Sequence, residues 1–434
     1  MKECQNLQEF LQAFFPENAE LEGFRKRLAA DATPDREGLT EALREPDAGE
    51  QIRLFEGGDA AGLAAARSRA YSAAFYDACF PEAGSAEQAL SRERLRFFYR
   101  GAANERYLLA PGVYRTGEKP EDFYFHELQV RCPAPFAGRR YLEKLTYMQH
   151  YGAPTRLLDI TANPLVALYF ACAAEPDCDG KVIVFCVEAA DVAYASSDRV
   201  QMLSHLPELS HADQRHLEAL SYRYMLRPGK FPQKSNQKYD DAVLERLYYD
   251  IQKENNAFTR DIRPFDLLRP VFVQSNQDNP RILRQDGAFL LSGLDTDEAD
   301  SDRKLRKHVL KELRIPAGCK AAIVQQLEQV NIHQASLFLR AMGDGAVILR
   351  AAVAEQPPRA AALEQRVEVI GLQQHGLRIA RGALQQRAGL IRQERRAVEA
   401  QLRALAAVFG TGEHGLRADA VGRNDGHEIR RGVA

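Results

Sequence analysis

The sequence predicts an α+β domain, a mixed sheet with flanking helices, over about residues 96 to 350. Two observations carry this. Runs rich in β-branched and aromatic residues recur at LRFFYRG (95–101), GKVIVFCVE (180–188), RPVFVQS (269–275) and GAFLLSG (287–293). The stretches between them read as helices of unequal length with no regular βαβ alternation. At 434 residues, with 45% hydrophobic and 27% charged residues, the chain can bury a full core.

Residues 1–95 read as a helical N-terminal appendage: NLQEFLQAFF and AAARSRAYSAAFYDACF flank a middle rich in Gly, Asp and Pro. The start lacks a long uncharged apolar stretch, so neither a signal peptide nor a membrane anchor is expected and a cytoplasmic location is. The seven cysteines include no Cys-x2-Cys pair, which points to reduced, mostly buried thiols rather than a disulfide framework or structural zinc.

The stretch LTYMQHYGAPTRLLDITANPLVALYFACA (145–173) carries the most local information. A helix bearing Leu145, Met148 and Gln149 is expected to stop at Gly152, the cap, with Pro154 preventing continuation. His150 and Tyr151 then sit on its last turn. In the strand TRLLDIT, alternation puts Leu157, Asp159 and Thr161 on one face and Arg156, Leu158 and Ile160 on the other. Arg156 is expected to pair internally with an acid. Asn163 is a good N-cap with Pro164 at the first helical position, and LVALYFACA is apolar nearly all round, so it should be buried. Its N-terminus offers a place for an anion. Asp159 and Thr161, where a strand gives way to that helix, are expected to face a nucleotide-sized cleft. Arg100, at the end of an aromatic strand and followed by Gly101, suits phosphate recognition. Glu127 in FHELQVR reads from spacing as a solvated helix residue, and His150 as either a capping residue or a base.

From 190 to 265 the sequence is polar and helical. After Pro357-Pro358, Leu363, Ile370, Leu377, Leu384, Ile391, Val398 and Leu405 recur every seven positions. Residues 359–409 are therefore expected to form a long heptad-patterned helix, with a local charge of +5 from nine Arg and four Glu. That helix could serve a homo-oligomer, a partner helix or a foldback, or its positive charge could make it a basic arm on nucleic acid. Residues 410–434, Gly-rich and aperiodic, are expected to be a disordered tail. The sequence holds no P-loop, strand-borne Gly-x-Gly-x-x-Gly, His-Glu-x-x-His or Gly-x-Ser-x-Gly, which removes weight from P-loop enzymes, Rossmann dehydrogenases, metalloproteases and α/β-hydrolases. Clustered carboxylates for a metal-dependent nuclease are not apparent, and no metal is expected.

The order of several stretches resembles the FRG domain family, named for a Phe/Tyr-Arg-Gly motif that stands here as Tyr99-Arg100-Gly101. YLLAPGVYR (107–115), Glu127, MQHYGAPTRLLDITANPLVALYFA (148–171), GKVIVF, SSDRVQMLSHLP and NPRILRQDGAFLL (279–291) follow in the family's order. The family is similar in layout to ADP-ribosyltransferases and occurs in bacterial and phage defence and toxin systems. The resemblance implies an ADP-ribosyltransferase-like sheet, NAD as substrate and a macromolecular acceptor, protein or nucleic acid. It implies Arg100 on the pyrophosphate, His150 or Tyr151 against the nicotinamide or ribose, Thr161 and Asn163 at the hydroxyl-bearing strand end, and Gln285 positioning the ribose. The late-strand Glu of such transferases is missing: Arg281 and Gln285 stand in that stretch, so Asp159 or Glu127 would have to supply the negative charge. The alternative is a fold that binds a nucleotide or nucleic acid without turning it over and regulates a partner.

Overall fold

The computed structural model describes residues 1–31, 36–43, 60–79, 94–116, 120–226, 231–233, 238–274, 280–295 and 297–338. The heptad segment 359–409 and the tail 410–434 lie outside these residues. The strands are β1 (Lys2–Glu3), β2 (Leu95–Ala102), β3 (Leu157–Thr161), β4 (Gly180–Glu188), β5 (Val192–Tyr194), β6 (Val271–Gln274), β7 (Gly287–Leu291) and β8 (Val309–Ile315). They form one mixed sheet in the order β1-β8-β4-β2-β3-β7-β6-β5. Only the two outermost pairs, β1 with β8 and β5 with β6, are parallel; the middle of the sheet is antiparallel.

β4 shows why the sheet is a true core. Val182, Val184 and Cys186 join the cluster on one face, and Ile183, Phe185 and Val187 the cluster on the other, so a strand covered on both sides reads as an unbroken apolar run. The Pro164–Cys172 helix lies on β2 and β4 at backbone contact distance. A Cβ added at Gly101 would fall 1.9 Å from the Ala167 carbonyl oxygen, and one at Gly180 2.4 Å from that of Ala171. The Lys320–Gln329 helix packs on the same helix, which explains why it is apolar all round. Val166, Ala167, Leu168 and Ala171 are fully buried, whereas Leu165 is half-buried. Leu168→Ala is therefore expected to cost about 2–5 kcal/mol in a denaturant titration, and Leu165→Ala clearly less. Equal losses would show that this helix has no outer side.

The described residues between β1 and β2 include the helices Leu7–Ala13, Asn18–Asp31, Arg36–Ala42 and Ala60–Cys79, and β1 ties the start of the chain to the sheet. Cys4 donates its N–H to the Arg314 carbonyl (2.9 Å). Phe10 and Phe24 enter the main core cluster, and the Arg27 guanidinium donates to the carbonyls of Val309 and Leu310 on β8 (2.9 and 3.1 Å). The segment after β5 forms a helical layer: the Asp198–His205 helix packs against both Tyr141–His150 and Ala242–Glu254. All seven cysteines are free thiols. No helix among the described residues is long and apolar enough to cross a membrane.

His308, just before β8, is 4% exposed and packs edge-on against Phe75 (4.8 Å) and Phe272 (5.1 Å). Burial, reinforced by the nearby Arg269 cation, lowers its pKa to about 3. The unfolded ring takes a proton near pH 6.5 and the folded one does not, so the unfolded state binds more protons between these values and stability falls as pH falls through that window. Denaturation midpoints measured from pH 7 to 4 should drop less in a His308→Phe variant, which keeps the aromatic packing and loses the titration. An equal drop would assign acid sensitivity to other groups.

Candidate functional site

The site begins at the end of the Tyr141–His150 helix. Gly152 has φ +89°. Its N–H bonds the Gln149 carbonyl (3.0 Å) and the Ala153 N–H reaches back to Met148 (3.0 Å), a Schellman cap of the kind glycine favours. The reversal lays the last helical turn beside β3. That strand is buried at Leu157, Leu158, Ile160 and Thr161 and exposed at Asp159, its central residue. A carboxylate open to solvent in an interior strand marks a place that, among the described residues, no element covers.

Asp159 is held rather than loose. Gln149 Nε2 donates to Asp159 Oδ1 (2.9 Å), and Gln149 Oε1 accepts from Thr155 Oγ1 (2.9 Å). The cleft in front of it has a volume of about 50 Å³. Thr146, Gln149 and His150 line one side, Asp159 the floor, and Gln285 and Gly287 the other side. Three of the residues expected from sequence, His150, Asp159 and Gln285, thus meet although they span 135 positions of the chain.

Arg100 stands elsewhere. Tyr99 pairs with Thr161, so alternation places Tyr99, Gly101, Asp159 and Thr161 on one face and Arg100 on the other with Ile160. From there the guanidinium reaches back, and Nη1 donates to the Asp159 carbonyl (2.6 Å). β2 and β3 share only that one paired position, and the Arg100 side chain satisfies a carbonyl that a longer ladder would have used. Burial lowers its pKa to about 10, opposed by the Asp159 carboxylate and aided by Arg115, so it remains a cation at pH 7. The expectation that Gly101 admits a phosphate is corrected by the packing: the atoms that come close are those of the Pro164–Cys172 helix.

The remaining expected residues hold the surrounding backbone. Thr161 Oγ1 donates to the Gln285 carbonyl (2.6 Å) and accepts the Asn163 N–H (2.9 Å). The Asn163 side chain caps the helix by accepting from Leu165 N (3.0 Å), while its Nδ2 donates to Asp286 Oδ2 (3.2 Å). Asp286 has φ +43°, a left-handed conformation that Asp tolerates better than most residues. The helix N-terminus expected to receive an anion thus already has a carboxylate of this chain beside it. Tyr151 packs on Tyr147 (4.6 Å) and His150 (5.0 Å), behind the cleft wall. Glu127 pairs with Arg131 (2.8 Å) on the outer surface of the Glu121–Arg131 helix and is not part of the lining.

Sequence reasoning passed over Gln149 and Thr155 as participants. The signal was the spacing: Gln149 is the last helical turn's polar residue, one position before His150, and Thr155 follows the cap. Among the described residues no group of three or more His, Cys, Asp and Glu is placed to hold a metal ion.

No curated protein and no solved structure matches the chain. A family model does match, over residues 95–179, the span that runs from β2 through the Schellman cap, β3 and the helix lying on Gly101 to the residue before β4. It includes Arg100, His150 and Asp159, and Gln285 falls outside it. By this match over the Arg100–Asp159 part of the sheet, the chain carries an FRG domain.

Proposed function

We propose that the Asp159 cleft binds NAD and transfers its ADP-ribosyl group to a macromolecular acceptor, as an effector protein would. The observation that supports this is the exposed Asp159 carboxylate, fixed by Gln149 at the floor of a cleft shared with His150 and Gln285. In such a transfer the bond between the nicotinamide nitrogen and ribose C1′ breaks and its electron pair leaves with nicotinamide. C1′ becomes cationic, and an acceptor nucleophile bonds to it and loses its proton. A fixed carboxylate stabilises charge that develops there, since it needs no reorganisation at the moment of reaction. With Oδ1 held by Gln149, Oδ2 is the oxygen left for that task. Gln285 can orient a ribose hydroxyl, and Arg100, bonded to the Asp159 carbonyl from the opposite face, keeps the backbone of the carboxylate in place.

Purified protein incubated with NAD labelled in its adenylate is expected to release nicotinamide and to move label onto protein, RNA or DNA. Asp159→Asn should lower the rate by about 100-fold or more while the melting temperature stays within a few degrees, because an exposed side chain contributes little to packing. Wild-type protein that releases no nicotinamide with any acceptor would sink the transferase reading. One observation favours the second reading, a nucleotide sensor without turnover: Arg100 Nη1 already donates to the Asp159 carbonyl within the protein. That reading predicts thermal stabilisation by NAD with no product.

A further inference from the structure

The far wall of the cleft is fastened to the last described residues of the chain. Gln285 Nε2 donates to the Leu337 carbonyl (3.2 Å), and Arg284 Nη1 to the Ser336 carbonyl (3.3 Å). These carbonyls belong to the short Gln334–Leu337 helix, whose final C=O groups have no partner within so brief a helix. The helix is itself anchored. His333 and Ser336 form a reciprocal cap, Leu337 is 1% exposed, and the Phe338 ring meets Phe170 of the Pro164–Cys172 helix edge-on at 6.0 Å. On its other side, residue 285 is fixed through its backbone by Thr161. The Gln285 side chain therefore takes its orientation from residues 336–338, and its backbone from β3.

We infer that residues 334–338 are a strap that regulates the cleft: while it is docked, the Gln285 amide is oriented and the wall carrying it is ordered, and release of the strap loosens both. This rests on the reading of the cleft as a ligand site. The slightness of its attachment gives the strap a regulatory rather than a merely structural character: one short helix, held by two side-chain hydrogen bonds and two apolar anchors, can dock or release as a unit while the sheet stays intact. Coupling of this kind is reciprocal: a ligand that engages Gln285 must also favour the docked strap.

The test uses the full chain with Phe338→Ala, Leu337→Ala, Gln285→Ala and the Phe338→Ala/Gln285→Ala pair, with two measurements. Hydrogen exchange of residues 280–291 is expected to rise about tenfold in both strap variants while β4 keeps wild-type protection. NAD affinity is expected to fall about fivefold in Phe338→Ala and in Gln285→Ala, and no further in the pair, since both act through one amide. Unchanged exchange at 280–291 overturns the inference, and so do losses of affinity that multiply in the pair, the mark of two independent structural defects. Should NAD fail to bind wild type, the reading of the cleft fails while the exchange measurement still decides whether the strap controls the wall.

Discussion

Glu121→Ala should cost about 3–5 kcal/mol and leave little folded protein near 37 °C. Arg156 is fully buried directly before β3, and the Glu121 side chain is 6% exposed. Glu121 Oε1 accepts the Arg156 backbone N–H (2.9 Å) and Oε2 accepts Nε (2.8 Å). The guanidinium is completed by Gln214 Oε1 (2.9 Å) and, more weakly, the Gly293 carbonyl (3.4 Å). Removing the carboxylate strands a charge in the interior, and the desolvation penalty of the guanidinium, no longer offset, outweighs the lost contact. The paired replacement Glu121→Leu with Arg156→Met should recover much of that loss, because it removes both charges. Chemical denaturation of the single and paired variants decides the matter. A paired variant as unstable as Glu121→Ala would mean that the pair is needed for its hydrogen bonds to 214 and 293 rather than for neutralising a charge.

Gly101→Ala is expected to prevent folding of the domain. The added methyl would sit 1.9 Å from the Ala167 oxygen and 2.6 Å from the Ala171 nitrogen, both backbone atoms of a helix confined between the sheet and the Lys320–Gln329 helix. Ordinary overpacking costs about 1–3 kcal/mol when side chains can move aside, and here they cannot, so the loss should exceed that range. Gly152→Ala provides the contrast. Its φ is +89°, yet nothing lies within 4 Å of the new atom, so only the backbone penalty of about 1 kcal/mol applies. Soluble yield and circular dichroism of the two variants should separate clearly. A well-folded Gly101→Ala would show that helix and sheet can part without loss of the fold.

The elements with a strong local signal were legible. β4 is a β-branched run that needs cover on both faces. The cap at Gly152, the N-cap at Asn163 and the buried pairing of Arg156 follow from residue chemistry alone. β1, β5 and β8 were not legible: VLKELRI alternates charged with apolar residues in a helix-compatible way, and strands of two and three residues, such as β1 and β5, take their form from their neighbours in the sheet.

Alternation and capping are local, so the sequence by itself put Asp159 at the strand end and His150 on the last helical turn, while Gln285 was expected from the family resemblance alone; the three line one cleft. Only the tertiary structure decided what each could reach. Register put the Arg100 and Asp159 side chains on opposite faces, since one position along a strand reverses the direction of a side chain. Close packing turned Gly101 from a ligand approach into a helix contact. The fold brought Asp286 to the helix N-terminus and Leu337 to Gln285, pairings separated by 123 and 52 positions in sequence. No local pattern encodes such contacts, because they exist only once the sheet has closed and its neighbours have been chosen.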